Sequence, residues 1–131
     1  MKKILLALVF AFVAGAAAQQ VQAQAAINLQ NPTLEFKEME HDFGDLQEGI
    51  SAEYSFEFTN RSGAAVLLQN VKASCGCTTP AWTREPIPAG GTGFVKATYN
   101  TANRPGPFNK SITVTLNNGE QIVLRISGKV I

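Results

Sequence analysis

The sequence predicts an all-β domain: an antiparallel β-sandwich of about seven strands, preceded by a cleaved signal peptide. Three observations predict it. Apolar residues beyond the N-terminal region recur with a period of two and never with a helical period. Candidate strands follow one another about every ten residues, separated by Gly, Pro and Asn punctuation. An apolar run behind a short basic start stands apart from all of this at the N-terminus.

That run comes first. Met1-Lys2-Lys3 precedes apolar sequence from Ile4 to Ala18, the layout of a secretory signal. Ala16-Ala17-Ala18 offers small residues for cleavage before Gln19, and Val21-Gln22-Ala23 is a second candidate, so residues 1–18 are the signal, with cleavage as late as 23 as the alternative. The run is shorter than the ~20 residues a bilayer span needs, so no membrane span is expected once the signal is removed. Residues 19–33 are Gln/Ala-rich without periodicity and read as a flexible leader. Residues 34–131 form one domain. Cleavage after Ala18 leaves 113 of the 131 residues, enough to bury a core without staples. Losing Lys2 and Lys3 from eleven basic residues leaves nine against ten acidic ones, a mature charge of −1. Phosphate binding needs concentrated Lys and Arg, so nucleic acid is not an expected partner.

The strands follow in order. Leu34, Phe36 and Met39 alternate with charged residues. His41-Asp42-Phe43-Gly44-Asp45-Leu46 continues to a Glu48-Gly49 turn. In 53–59, Tyr54, Phe56 and Phe58 share one face while Glu53, Ser55, Glu57 and Thr59 share the other, the pattern of a strand with one dry side. Asn60-Arg61-Ser62-Gly63 stops it. Residues 66–73 form the next strand, facing inward with either Leu67, Val71 and Ala73 or Val66 and Leu68. Residues 75–91, with Pro80, Pro86, Pro88, Gly90 and Gly91, read as one long irregular segment. It holds the only tryptophan, Trp82. Val95, Ala97 and Tyr99 mark a further strand, which 103–107 breaks. Residues 111–116 and 121–130 then form a hairpin across Asn117-Asn118-Gly119, where Asn-Gly predicts a type I′ turn. Strands so spaced indicate an immunoglobulin-like β-sandwich; a small closed barrel is the alternative.

The only two cysteines stand in Ser74-Cys75-Gly76-Cys77-Thr78. With Asp42-Phe43-Gly44, Phe56-x-Phe58-Thr59-Asn60, Pro86-Ile87-Pro88-x-Gly90, Gly106-Pro107-Phe108-x-Lys110 and the Ile112/Val114 strand, this block resembles exported bacterial proteins of the domain of unknown function 1573 family. The resemblance covers roughly residues 34 to 131, and Cys-Gly-Cys-Thr is its most specific motif. Ala89 departs slightly, standing where a proline or polar residue is expected. The resemblance implies an immunoglobulin-like sandwich, similar to domains of ciliary and major-sperm-protein-type scaffolds whose role is protein binding. It implies no activity.

Three chemistries compete for Cys75 and Cys77. Two cysteines in an exported protein are normally oxidised, so they are the disulfide candidate, with Gly76 allowing the tight bend. Closing so short a ring adds only about 1.6 kcal/mol in the chain-entropy model, less any strain. Such a bridge shapes a segment more than it holds a fold. A strained, exposed bridge also exchanges readily with thiols, although Cys-x-x-Cys at a helix start is the usual oxidoreductase arrangement. Two thiolates suit Cu(I), but only His41 and Met39 remain as further ligands after Met1 is lost. No metal site or cofactor is therefore expected.

Elsewhere the plain readings dominate. His41, between Glu40 and Asp42, reads as solvated or capping. Asp42 and Asp45 lack the spacing of a calcium loop and read as turn caps. Asn60-Arg61-Ser62 and Asn109-Lys110-Ser111 match a glycosylation acceptor pattern but read as turns. Trp82 is either an exposed recognition patch or a plug for one end of the sandwich. With one histidine in the chain, no serine has a triad context. The expectation is a non-enzymatic interaction or structural module, periplasmic or secreted, holding an unidentified protein partner in the cell envelope. Segment 75–91 carries its binding-loop candidates Thr78, Thr79 and Trp82. The alternative is a thiol-redox or Cu(I)-handling protein.

Overall fold

The computed structural model describes residues 32–131. The predicted signal peptide, 1–18, and the leader up to residue 31 lie outside the described residues. Eight strands form two four-stranded sheets. They are β1 (Leu34–Phe36), β2 (Glu40–Leu46), β3 (Ala52–Asn60), β4 (Leu68–Ala73), β5 (Thr78–Trp82), β6 (Thr92–Tyr99), β7 (Gly106–Leu116) and β8 (Gln121–Val130). One sheet has the order β1-β3-β6-β5 and the other β2-β8-β7-β4. No helix among the described residues is long and apolar enough to cross a membrane.

The period-two pattern explains the packing. Phe56 and Phe58 of β3 and Val95, Ala97 and Tyr99 of β6 turn inward from the first sheet. Ile112, Val114 and Leu116 of β7 meet them with Leu124 and Ile126 of β8. Each large apolar side chain taken from water contributes roughly 1.5–3 kcal/mol, so this double layer dominates the fold's stability. Packing also explains one glycine. A Cβ on Gly93 would lie 2.5 Å from Cζ of Phe58, its cross-strand partner.

Four expectations are corrected. The sandwich is not wholly antiparallel: β2 runs parallel to β8. The first segment pairs with β3 as far as Lys37, whose N–H bonds Glu57 O, and by Met39 it has joined the other sheet, where Met39 O accepts from Arg125 N. It keeps its heading through this switch and so arrives parallel. Second, 75–91 is not one irregular segment, because β5 lies within it and pairs with β6. Pro80 is tolerated there because β5 is a sheet edge. Third, β7 begins at Gly106, not 111. Its first residues lie beyond β4, which ends opposite Ile112, so Pro107 falls where β8 is the only partner strand. Fourth, the 117–119 turn is not type I′. Among its residues only Gly119 has positive φ, 91°. Gly119 N donates to Leu116 O and Leu116 N to Glu120 O, a type I turn closed by a glycine bulge.

The two inward sets proposed for 66–73 both contribute. A bulge between Leu68 and Asn70 shifts the register, so Val66, Leu68 and Val71 are all buried.

Candidate functional site

The cysteine pair sits where the chain changes sheets. β4 ends at Ala73 in the second sheet and β5 begins at Thr78 in the first, so 74–77 is the whole crossing. Backbone bonds pin it on both sides. Ser74 N donates to Ser111 O at 2.9 Å, Ser111 N returns a bond to Ser74 Oγ at 3.2 Å, and Asn100 N donates to Cys77 O at 2.9 Å.

Within this crossing the sulfurs of Cys75 and Cys77 are in direct contact, with Cα atoms 5.3 Å apart, a separation a disulfide accepts. Their surroundings differ. Cys77 is only 4 % exposed and belongs to the core, whereas Cys75 is half-buried at its margin. Cys77 N donates to Cys75 Sγ at 3.3 Å, and Thr78 Oγ1 lies 3.9 Å from Cys77 Sγ. Gly76 is exposed. It has no positive φ, and no heavy atom outside Cys75 and Cys77 lies within 4 Å of where a Cβ would stand. The bend therefore does not need glycine for its backbone conformation, contrary to the expectation, and no other part of the fold crowds that position.

The crossing is part of one closed end of the sandwich. Ala52 and Thr78 both pair with Tyr99, and turns 47–51, 74–77 and 100–105 gather there. Thr101, fully buried, donates from Oγ1 to Ile50 O at 2.9 Å and accepts from Gly49 N at 2.9 Å. Asn103 N donates to Glu48 Oε2 at 3.0 Å. Ile50 and Ile131 are 62 % and 61 % exposed at this end.

The opposite end gathers 61–67, 83–91 and 117–120 around Asn60, also fully buried. Its Nδ2 faces three carbonyls, Ala64 O and Ile87 O at 2.9 Å and Pro88 O at 3.2 Å. Its Oδ1 accepts from Ser62 N and Ser62 Oγ at 2.9 and 2.7 Å. One amide thus uses both its donors and its acceptor capacity, and Asn60 is sealed off as a glycan acceptor. Neither Asn60 nor Thr101 stood out in the sequence as a structural centre, because buried and exposed turn residues look alike there. The one available signal was Ser two residues after Asn at a strand end, the spacing of a side chain bonding the backbone ahead of it.

The remaining candidates disperse. Thr78, Thr79 and Trp82 do not share a binding loop; all three lie on β5. Thr78 is buried, Thr79 exposed and Trp82 half-buried against the core, with the Arg84 guanidinium 3.6 Å above its ring. At 3.3 Å per residue, Thr78 and Trp82 stand about 13 Å apart, toward opposite ends of the sandwich. Met39 and His41 belong to the β2 side of the second sheet, the far edge from β4. His41 stacks on Tyr54, ring centroids 3.7 Å apart and planes within 8°, and meets Phe43 edge-on; it packs rather than stands solvated. Tyr54 OH donates to Glu38 Oε2. That bond, with lesser help from burial and from the charges of Glu38 and Glu57, holds the Tyr54 phenol above its ordinary range. Asp42 accepts from Gly44 N at 2.9 Å, within the bulge between Asp42 and Asp45, so it acts as the expected turn cap. No group of three or more metal-ligating residues occurs among the described residues.

Comparison with known proteins gives likeness of fold. A Porphyromonas gingivalis protein of unknown function shares 17 % identity at a TM-score of 0.66, over 81 % of this chain and 50 % of its own. This chain thus spans half the length of that relative. The PapD-like (ASH) domain of human CEP192 shares 12 % identity at a TM-score of 0.64, over 88 % of this chain and 96 % of its own. A Streptococcus sanguinis adhesin, SrpA, shares 15 % at 0.53, over 77 % and 56 %. No curated protein matches. The order β1-β3-β6-β5 against β4-β7-β8, with β2 added beside β8, is that of an immunoglobulin-like domain. A family model described as "Protein of unknown function (DUF1573)" matches residues 34–130, and the chain belongs to that family.

Proposed function

We propose that this protein is an exported, non-enzymatic module of the bacterial cell envelope, periplasmic or secreted, that holds a protein partner at the cysteine-bearing end of its sandwich. The observation that carries the proposal is the linkage of three turns into one rigid surface. Thr101 ties to Ile50 and Gly49, Glu48 to Asn103, and Asn100 to Cys77. A surface ordered before contact loses little entropy on binding, and Ile50 and Ile131 stand exposed on it. The sheet edges suit added strands poorly. β1 has three residues, β2 is bulged and acidic, β4 is bulged and carries Lys72, and β5 carries Pro80, the devices that discourage edge pairing. The immunoglobulin-like and PapD-like architecture supports a binding role without naming what is bound.

Two experiments test this. A photo-crosslinking residue replacing Ile50 in living cells gives a discrete adduct, while the same residue replacing Phe94, exposed on the outer face of the first sheet, gives none. Adducts from both positions, or from neither, overturn the assignment of the surface. N-terminal sequencing of protein from the cell envelope finds a start at Gln19 or Gln24; full-length protein confined to the cytoplasm overturns export.

A further inference from the structure

We propose that Cys75 and Cys77 form a thiol–disulfide exchange site of fixed polarity, in which a thiolate of a dithiol partner attacks Cys75 and Cys77 is the sulfur released. This goes beyond the binding role and does not depend on it.

Access sets the polarity. A thiolate must approach the attacked sulfur from outside the bridge, and exchange rates follow that access. Cys77, 4 % exposed within the core cluster, offers no approach. Cys75 is half-buried at the margin, and beside it exposed Gly76 has no side chain, with no atom of the fold other than Cys75 and Cys77 within 4 Å of its would-be Cβ. The hydrogen bonds match this division. Cys77 N–H points at Cys75 Sγ, 3.3 Å away, and is placed to stabilise negative charge there in the reduced form. The Thr78 hydroxyl, 3.9 Å from Cys77 Sγ, is placed to meet the sulfur that leaves.

The bridge can open without the fold opening. Its ring is worth about 1.6 kcal/mol at most. The same crossing is held independently by the two Ser74–Ser111 bonds and by Asn100 on Cys77 O. A bridge that stabilises little, in a segment pinned by other means, is one whose redox state can change reversibly.

The step balances as follows. The partner thiolate forms a bond to Cys75 Sγ. The Cys75–Cys77 bond breaks, and its electron pair goes to Cys77 Sγ, which takes a proton from solvent. The partner's second thiol, as thiolate, attacks the partner sulfur of this mixed disulfide and releases Cys75 as a thiolate. The partner dithiol is oxidised to a disulfide, and Cys75 and Cys77 are reduced to thiols, two electrons in all.

The test uses the mature protein and its single variants. Folded Cys77→Ser, with Cys75 free, reacts with dithionitrobenzoate on the order of 10-fold or more faster than folded Cys75→Ser, as exposure requires. Equal rates, or the reverse order, overturn the polarity. The wild-type protein provides a measurement that depends on neither variant folding. After partial reduction with glutathione at millimolar concentration, mass mapping finds glutathione on Cys75 and not on Cys77, with the circular dichroism unchanged. A bridge that resists this treatment, or a domain that unfolds as the bridge opens, shows a purely structural disulfide and overturns the proposal.

Discussion

The two ends of the sandwich are closed by different chemistries. At one end a single buried amide, Asn60, gathers two connecting segments through carbonyls of Ala64, Ile87 and Pro88 and through Ser62. At the other a buried hydroxyl, Thr101, fixes one turn, while a pair of touching sulfurs marks the sheet crossing. The amide end has a fully buried side chain at its centre. The sulfur end carries Cys75 at the margin of the core and Cys77 within it. On the proposed exchange role, the division predicts that stability depends more on Asn60 than on the sulfur pair.

Removing the amide gives the largest expected effect. Asn60→Ala removes the hydrogen bonds from Nδ2 to Ala64 O, Ile87 O and Pro88 O and those from Ser62 to Oδ1. The carbonyls keep Ser62 Oγ, Val66 N and Gly91 N as donors. The cost is therefore that of the lost bonds, roughly 0.5–1.5 kcal/mol each, and a loss of about 3 kcal/mol is expected. Urea denaturation reads it as a lower midpoint at unchanged slope. A loss under about 1 kcal/mol, the size of a single exposed hydrogen bond, would place the stability of that end elsewhere. Thr101→Val keeps the shape and removes the hydroxyl. It leaves Ile50 O and Gly49 N without their partner, for an expected loss of about 1.5 kcal/mol. If Thr101→Val costs more than Asn60→Ala, the ranking of the two ends is reversed.

These two residues also mark the limit of what the sequence discloses. The core strands were legible because alternation reports burial directly: Tyr54, Phe56 and Phe58, then Val95, Ala97 and Tyr99, turn inward as their spacing demands. Direction is not encoded in alternation, so the parallel run of β2 beside β8 had no signature. β5 was hidden because Pro80 and the glycines around it are the marks of a loop, yet a five-residue edge strand tolerates a proline. That omission also misplaced the candidate site, since the strand carries Trp82 away from Cys75 toward the amide end. At the cysteines the residue types were plain, but which sulfur is buried depends on which sheet receives the chain after Cys77.

Replacing both sulfurs sharpens the comparison from the other side. Cys75→Ser/Cys77→Ser is expected to lower stability by no more than about 1.6 kcal/mol, the loop-closure value for so short a ring, with the serine at 77 adding the modest cost of a buried hydroxyl. The spectrum and cooperativity of unfolding should be those of the wild type. Failure of the double variant to fold would make the sulfur end a structural keystone equal to Asn60, and the division between the two ends would not stand.

The smallest expected effect has the most informative sign. Gly76 sits between the two cysteines without positive φ, and no other part of the fold comes within 4 Å of its would-be Cβ. Where the native backbone suits alanine, Gly→Ala gains about 0.4–1 kcal/mol by restricting the unfolded chain. Gly76→Ala should therefore raise the urea midpoint slightly. The added methyl also occupies part of the space beside Cys75, so bridge reduction by glutathione should slow in the same variant. Stability and reactivity then move in opposite directions from one methyl group. If Gly76→Ala destabilises instead, the glycine serves the backbone after all, and the openness beside Cys75 is a by-product of the bend.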